Sequence, residues 1–150
     1  MLFGAKGERR VAASDFYTAD GIRNTVLEPG EIVVRVVLPV VAQRKSAFEK
    51  LRRRGAIDFP LLSIAARIDR DEAGALRAAA LVVSALGARP RRVRAADKIG
   101  PSTSADGLAR ALADAAWVEC KPLSNVDDDT EWRRDMVRVL ARKAVERALG

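Results

Sequence analysis

Hydrophobic and polar positions change their period once along this chain, near Pro90. Before it, apolar residues recur mostly at every second position, the spacing of a half-buried strand; after it they recur at helical spacing. Residues 31–38 alternate, with Ile32, Val34, Val36 and Leu38 on one face and Arg35 on the other, and Glu28-Pro29-Gly30 ahead of them is a turn signal. The pattern predicts a strand there. Residues 47–53 and 61–68 read as two more, the latter placing Leu62, Ile64, Ala66 and Ile68 on one side, and residues 69–74 supply a turn. Residues 76–86 are alanine-rich and compatible with a helix, but the turn spacing and the β-branched pair Val82-Val83 favour a fourth strand in an antiparallel meander.

Beyond Pro90 a short helical segment is expected at residues 91–99, followed by a helix at 104–120. In the latter Leu108, Leu112, Ala115 and Ala116 share a face and Ser104 is placed to cap. A last helix at 129–149 carries Trp132, Met136, Val139, Leu140 and Ala144 along one stripe, which assigns Trp132 and Met136 to the core and leaves Trp117 to core or interface. Acids at Asp127, Asp128 and Asp129 with bases further on complement the helix dipole; the same acids could hold a cation, but N-capping accounts for them. Pro101-Ser102-Thr103 and Lys121-Pro122-Leu123-Ser124 read as loops, and no repeat is evident. The class is α+β.

The chain has 150 residues, about one domain's worth, and an apolar share of 49% against 31% charged, which permits a packed core. It has no histidine and a single cysteine, Cys120, expected to be a small buried or half-buried side chain, so imidazole catalysis, an internal disulfide and a cysteine metal cluster are excluded. No metal ligands and no catalytic residues are assigned. Met1-Leu2-Phe3 is too short for a signal sequence and Arg35 interrupts the longest apolar run, so a cytoplasmic protein that does not enter a membrane is expected. The net charge of +7 suits an anionic partner. Arg89-Pro90-Arg91-Arg92-Val93-Arg94 could grip phosphates, but no aromatic residues are interleaved to stack bases, and the stripe Arg134, Arg138, Arg142 is offset by Asp135 and Glu146. Nucleic acid is therefore not the expected partner.

Several motifs follow one another in a telling order. Thr25-Val26-Leu27-Glu28-Pro29-Gly30-Glu31-Ile32 leads to Leu38-Pro39; Ala47-Phe48-Glu49-Lys50-Leu51-Arg52-Arg53 leads to Asp58-Phe59-Pro60-Leu61; Leu86-Gly87-Ala88-Arg89-Pro90 follows. Glu131-Trp132-Arg133-Arg134 then runs into Val137-Arg138-Val139-Leu140-Ala141-Arg142. This succession resembles the C-terminal domain of the FAD-binding (medium) subunits of the molybdenum hydroxylases, the xanthine dehydrogenase and carbon monoxide dehydrogenase flavoproteins. Within that family the run from Lys50 to Pro60, with Lys121-Pro122-Leu123 and Trp132-Arg133, looks most like the β subunit of 4-hydroxybenzoyl-CoA reductase.

The resemblance implies an antiparallel sheet of three to four strands followed by three helices packed on it. It implies that residues 1–24, with a hairpin at Leu2 to Ala12 turning at Lys6-Gly7, are the end of a preceding FAD-binding region and its connecting segment, and that residues 25–150 are the C-terminal-type domain. The Gly-rich loops that hold the FAD pyrophosphate in the family are not in this sequence, so a fragment, a split subunit or a truncated reading frame is expected. In the family the loop corresponding to residues 52–59 lies beside the isoalloxazine ring. By resemblance, Lys50, Asp58 and Phe59 would contact the flavin, while Arg52 and Arg53 would set the local field or pair with carboxylates of the missing region. The plainer reading makes the arginines a solvated strand end and Phe59 core. The implied protein carries electrons through FAD beside a large subunit with the molybdenum cofactor and a small subunit with iron-sulfur clusters. A flavin-free assembly module and a basic nucleic-acid binder are the two alternatives.

Overall fold

The computed structural model describes residues 1–98, 104–124 and 130–150, and these divide into two units, Met1–Val41 and Ala42–Gly150. In the first unit, β1 (Leu2–Gly4) and β2 (Gly7–Arg9) form a hairpin turning at Lys6-Gly7, where Gly7 takes φ +95, a conformation that a side chain would strain. A short helical turn, α1 (Ala13–Phe16), follows, and β3 (Ile32–Val33) pairs antiparallel with β1, giving the order β2-β1-β3. Leu2 lies opposite both Arg9 and Val33. The turn at Glu28-Pro29-Gly30 forms, with the Glu31 amide donating to the Glu28 carbonyl at 2.9 Å. Arg9 grips the Glu31 carboxylate through Nε and Nη2, both at 2.7 Å, and the Glu28 amide donates to the same group at 2.8 Å. Chiefly through the Arg9 hydrogen bonds, the Glu31 carboxyl falls to about 2.

The strand expected over residues 31–38 is real over only two residues. Beyond Val34, whose amide donates to the Met1 carbonyl at 3.1 Å, the alternating segment runs past the start of β1 and has no strand to pair with. Alternation selects a face, but a strand also needs a neighbour along its edge.

The second unit is built on a four-stranded antiparallel sheet: β4 (Arg44–Leu51), β5 (Leu62–Arg70), β6 (Leu76–Ser84) and β7 (Arg91–Arg92), paired in chain order. Register opposes Ile64 to Val83, Ala66 to Leu81 and Ile68 to Ala79, so one face of β5 and β6 is continuous apolar surface. The alanine-rich segment is therefore the strand that its turn spacing suggested. Asp71 closes the β5–β6 turn by accepting from the Ala75 amide at 2.8 Å, with Gly74 at φ +85. After β7, residues expected as helix form a tight 3-10 turn, Arg94–Lys98, held by the Glu119 carboxylate, which accepts from the amides of Arg94 and Ala95 at 2.8 and 2.9 Å.

Two long helices complete the unit. In α2 (Ala105–Glu119) Ser104 caps as expected, accepting from the Gly107 amide at 3.1 Å, and Leu108, Ala109, Leu112, Ala113 and Ala116 are buried. Helix α3 (Thr130–Leu149) packs on β4, β5 and α2. Its buried face is Arg133, Val137, Leu140, Ala141, Ala144, Val145 and Ala148; of the expected stripe Leu140 and Ala144 are buried and Met136 packs against the core, while Val139 is 55% and Trp132 44% exposed, so Trp132 is not the core residue expected. The small side chains on the facing sides of α2 and α3 let the two helices pack closely. Ile99, Pro101-Ser102-Thr103 and Asp127 to Asp129 lie outside the described residues.

Candidate functional site

The connection from β4 to β5, residues 52–61, is well beyond the short loops that commonly close hairpins. Its ends are fixed by the Leu61 amide, which donates to the Leu51 carbonyl at 2.9 Å. Its interior is organised by Asp58, whose Oδ2 accepts from the amides of Arg53 and Arg54 at 2.9 and 3.1 Å. Burial raises the Asp58 carboxyl, and the amides of Arg54, Arg53 and Phe59 with the Arg54 charge outweigh that, leaving it below the usual carboxylate range. Lys50 reaches in from β4, donating to the Asp58 carbonyl at 3.3 Å, and Arg54 Nη2 donates to the Ile57 carbonyl at 2.9 Å.

Lys50, Arg53 and Asp58 are thus brought together, with Asp58 turned into the loop rather than out of it. Arg52, Arg53 and Arg54 are exposed. Phe59 is 90% exposed, so it is not the core residue of the plainer reading. Beside it Ile57 is 92% exposed at φ +44, a region that a β-branched residue rarely occupies. The loop therefore displays two apolar side chains within a belt of guanidinium groups. Nothing in the sequence pattern marks Ile57, because its display follows from the turn that Asp58 imposes.

A second missed residue stands beneath the loop. Arg133 in the first turns of α3 is 2% exposed; its guanidinium donates to the carbonyls of Ala85 at 3.0 Å, Leu61 at 3.3 Å and Leu123 at 3.5 Å. It joins the start of β5, the end of β6 and the segment after α2, and so anchors the residue that closes the loop. The signal was legible: the buried stripe of α3, continued one turn back from Val137, falls on position 133.

Elsewhere the charges find partners within the fold. Glu49, on the inward face of β4, takes both Arg147 and Lys143 from α3, the Lys143 pair at 3.2 Å, and the Arg147 hydrogen bond chiefly holds its carboxyl below the ordinary range. Arg134 and Arg138 stack on the half-buried Trp117 ring, 3.9 and 4.6 Å from its centroid, while its Nε1 donates to Asp135 at 3.1 Å. Arg138 pairs with Asp114 and Arg142 with both Asp106 and Glu146. Cys120 is buried as expected, and burial pushes its thiol up to about 11. No helix among the described residues is long and apolar enough to cross a membrane.

The four-stranded antiparallel sheet backed by helices, with a long exposed loop between its first two strands, defines an α+β domain. Residues 46–148 match the family model of the CO dehydrogenase flavoprotein C-terminal domain, and the chain belongs to that family. It is similar to the carbon monoxide dehydrogenase medium chain of Afipia carboxidovorans, 32% identical over 150 residues, covering 98% of this chain and 50% of that protein. A 92-residue stretch, 59% of the chain, is 34% identical to the aldehyde oxidoreductase FAD-binding subunit of Escherichia coli, of which it covers 27%. Among solved structures, a subunit of the carbon monoxide dehydrogenase of Hydrogenophaga pseudoflava superposes with a TM-score of 0.81 at 25% identity, over 98% of this chain and 50% of that one. The chain spans about half the length of the Afipia carboxidovorans medium chain and of the solved Hydrogenophaga pseudoflava chain.

Proposed function

We propose that this chain is the C-terminal part of a cytoplasmic flavoprotein subunit that carries electrons through FAD within a multi-subunit molybdenum hydroxylase. The observation that carries the proposal is its match, along nearly its whole length, to half of a CO dehydrogenase medium chain. The loop supports it. Ile57 and Phe59 offer apolar surface to a planar ring, and the exposed guanidinium groups of Arg52 and Arg53 favour negative charge beside it. The positive-φ glycines, Gly7, Gly30 and Gly74, sit in strand turns and make no cradle for a pyrophosphate. On this reading the loop residues would meet the ring end of FAD, and its phosphates would be held by an FAD-binding half outside this sequence.

Bound FAD would supply two-electron chemistry and exchange with one-electron carriers. This chain's residues would act around it: Phe59 and Ile57 exclude water from one side of the ring, the arginines stabilise its reduced, anionic form, and Asp58 with Lys50 holds the loop in shape. The molybdenum cofactor and iron-sulfur clusters would reside in large and small partner subunits. The run from Lys50 to Pro60 supports a 4-hydroxybenzoyl-CoA reductase type, tested by assaying the purified complex with that thioester.

Gentle affinity purification of the chain from its own cells tests the whole reading. Flavin absorbance, together with molybdenum and iron-sulfur subunits and an FAD-binding polypeptide in the mass list, is the expected result. A lone, colourless protein would instead identify a flavin-free module. The isolated 150 residues should be colourless after reconstitution with FAD, and stoichiometric retention of FAD would overturn the division of the binding site.

A further inference from the structure

Strand β4 is the outermost strand of the second unit's sheet, and no strand among the described residues pairs with its far side. The Arg70 amide donates to the Gln43 carbonyl at 3.0 Å, so by alternation the backbone groups of Ala47 and Glu49 also face β5, while those of Ser46, Phe48 and Lys50 face out. The Phe48 carbonyl has that parity, accepting from Arg147 Nη1 at 3.4 Å across the edge. Folds blunt a bare edge by shortening it, bulging it, interrupting it with proline or lining it with charge. Strand β4 is neither short nor bulged and has no proline: all eight residues keep one register with β5, from Arg44 opposite Asp69 to Leu51 opposite Leu62. Its bases are drawn off along the sheet, Arg44 to Asp69, Lys45 to the Gly150 carbonyl and Lys50 to the Asp58 carbonyl. Phe48, in the middle of the edge, is 56% exposed.

Helix α3 forms a wall beside this edge. Lys143 and Arg147 reach Glu49 of β4, and helical spacing sets Trp132, Met136 and Val139 on the same flank. Trp132 and Val139 are the apolar residues of the helix that the core leaves exposed. An unpaired strand edge beside an apolar flank is the geometry that takes up an extended segment as one further strand, with main-chain bonds along the edge and side-chain contacts on the flank.

Charge selects the occupant. Lys45, Lys50, Lys143 and Arg147 stand around the edge, and the carboxylate among them, Glu49, is turned inward and held by Lys143 and Arg147. Positions 132, 136, 139, 143 and 147 of the flank include no acid. Two copies paired edge to edge would set these bases against one another, whereas an acidic strand would meet them favourably. We infer that the β4 edge and the adjoining flank of α3 form a docking shelf for an extended acidic segment of another polypeptide, which pairs with Ser46, Phe48 and Lys50 and displaces Arg147 from the Phe48 carbonyl. The shelf is complete without flavin, so it does not depend on the flavoprotein reading.

The test compares amide exchange over residues 44–51 in the complex purified from its own cells with that in the isolated 150-residue chain, and reads flavin absorbance separately. Exchange at Ser46, Phe48 and Lys50 slowed about 100-fold or more is expected in the complex. Val139→p-benzoylphenylalanine should cross-link on irradiation to a segment richer in acidic than in basic residues. A protected edge in a colourless complex would keep the shelf and sink the flavoprotein reading; a flavin-bearing complex with an unprotected edge would do the reverse. A chain that purifies alone with its edge unprotected, or a cross-link to a second copy or to a basic segment, would likewise overturn the inference. Val139→Glu separates docking from folding. The side chain is exposed, so the isolated chain should keep its thermal midpoint, while release of the partner should speed about fivefold, the scale of one like-charge contact in water. Val139→Lys should not speed it, and equal release from all three proteins would also overturn the inference.

Discussion

At the scale of single residues, Asp58 and Arg133 do related work at different depths. Asp58 holds two amides of an exposed loop, so Asp58→Ala should speed exchange of the Arg53 and Arg54 amides about tenfold, the scale of a lost hydrogen bond, with little change in the thermal midpoint. Its carboxyl is depressed below its ordinary value of 3.8, so the loop should be ordered above that value and loosen as pH falls through the lower folded one. Amide exchange followed from pH 5 downward, at about that starting point, checks both. Arg133 holds three carbonyls in the interior, and Arg133→Met should cost about 3 kcal/mol in urea unfolding by leaving buried acceptors unpaired. A loss below about 1 kcal/mol would show that water or relaxation replaces those bonds. The sequence made Lys50, Asp58 and Phe59 visible as a group through their order in the chain. It could not show that Asp58 faces inward or that Ile57 faces out, since both depend on a turn formed by side-chain hydrogen bonds rather than by periodicity.

At the scale of elements, legibility followed how many neighbours an element needs. Helix α2 is specified locally, by a cap and a stripe, and formed as read. Ser104→Ala should destabilise the second unit by about 1 kcal/mol, measured by denaturant midpoint with an unchanged slope; Ser104→Gly should cost less, because glycine still permits the cap backbone geometry. Strands β5 and β6 were legible because each is flanked by the other and their alternation matches across the pair. Helix α3 was placed correctly, and Met136, Leu140 and Ala144 of its stripe pack inward, but Trp132 and Val139 face out. Large apolar residues suggested the buried face, while the packing selected alanines and valines that let α2 approach. The segment at 31–38 shows the limit from the other side: its alternation is strong, and its pairing depends on chain that alternation cannot supply.

At the scale of the whole molecule the contrast between the two units predicts how the protein comes apart. The first buries Leu2 and half-buries the Arg9–Glu31 pair; the second buries a sheet face and two helix faces. Units of such unequal burial should not share one transition. The chain carries its own reporters, since its only tyrosine, Tyr17, lies in the first unit and both tryptophans, Trp117 and Trp132, in the second. On heating, the Tyr17 absorbance transition should come first and the tryptophan fluorescence transition later. Coincident transitions would mean that the units are coupled. Acid separates them by a stated chemistry. The Glu31 carboxyl stands at about 2 against an ordinary 4.5, so its contribution is complete above 4.5 and is lost as pH falls toward 2. The Tyr17 midpoint should decline across that window, and Glu31→Gln should lower it at neutral pH and flatten the decline. A Tyr17 midpoint with the same slope in both proteins would mean that the Arg9 pair does not hold the unit together.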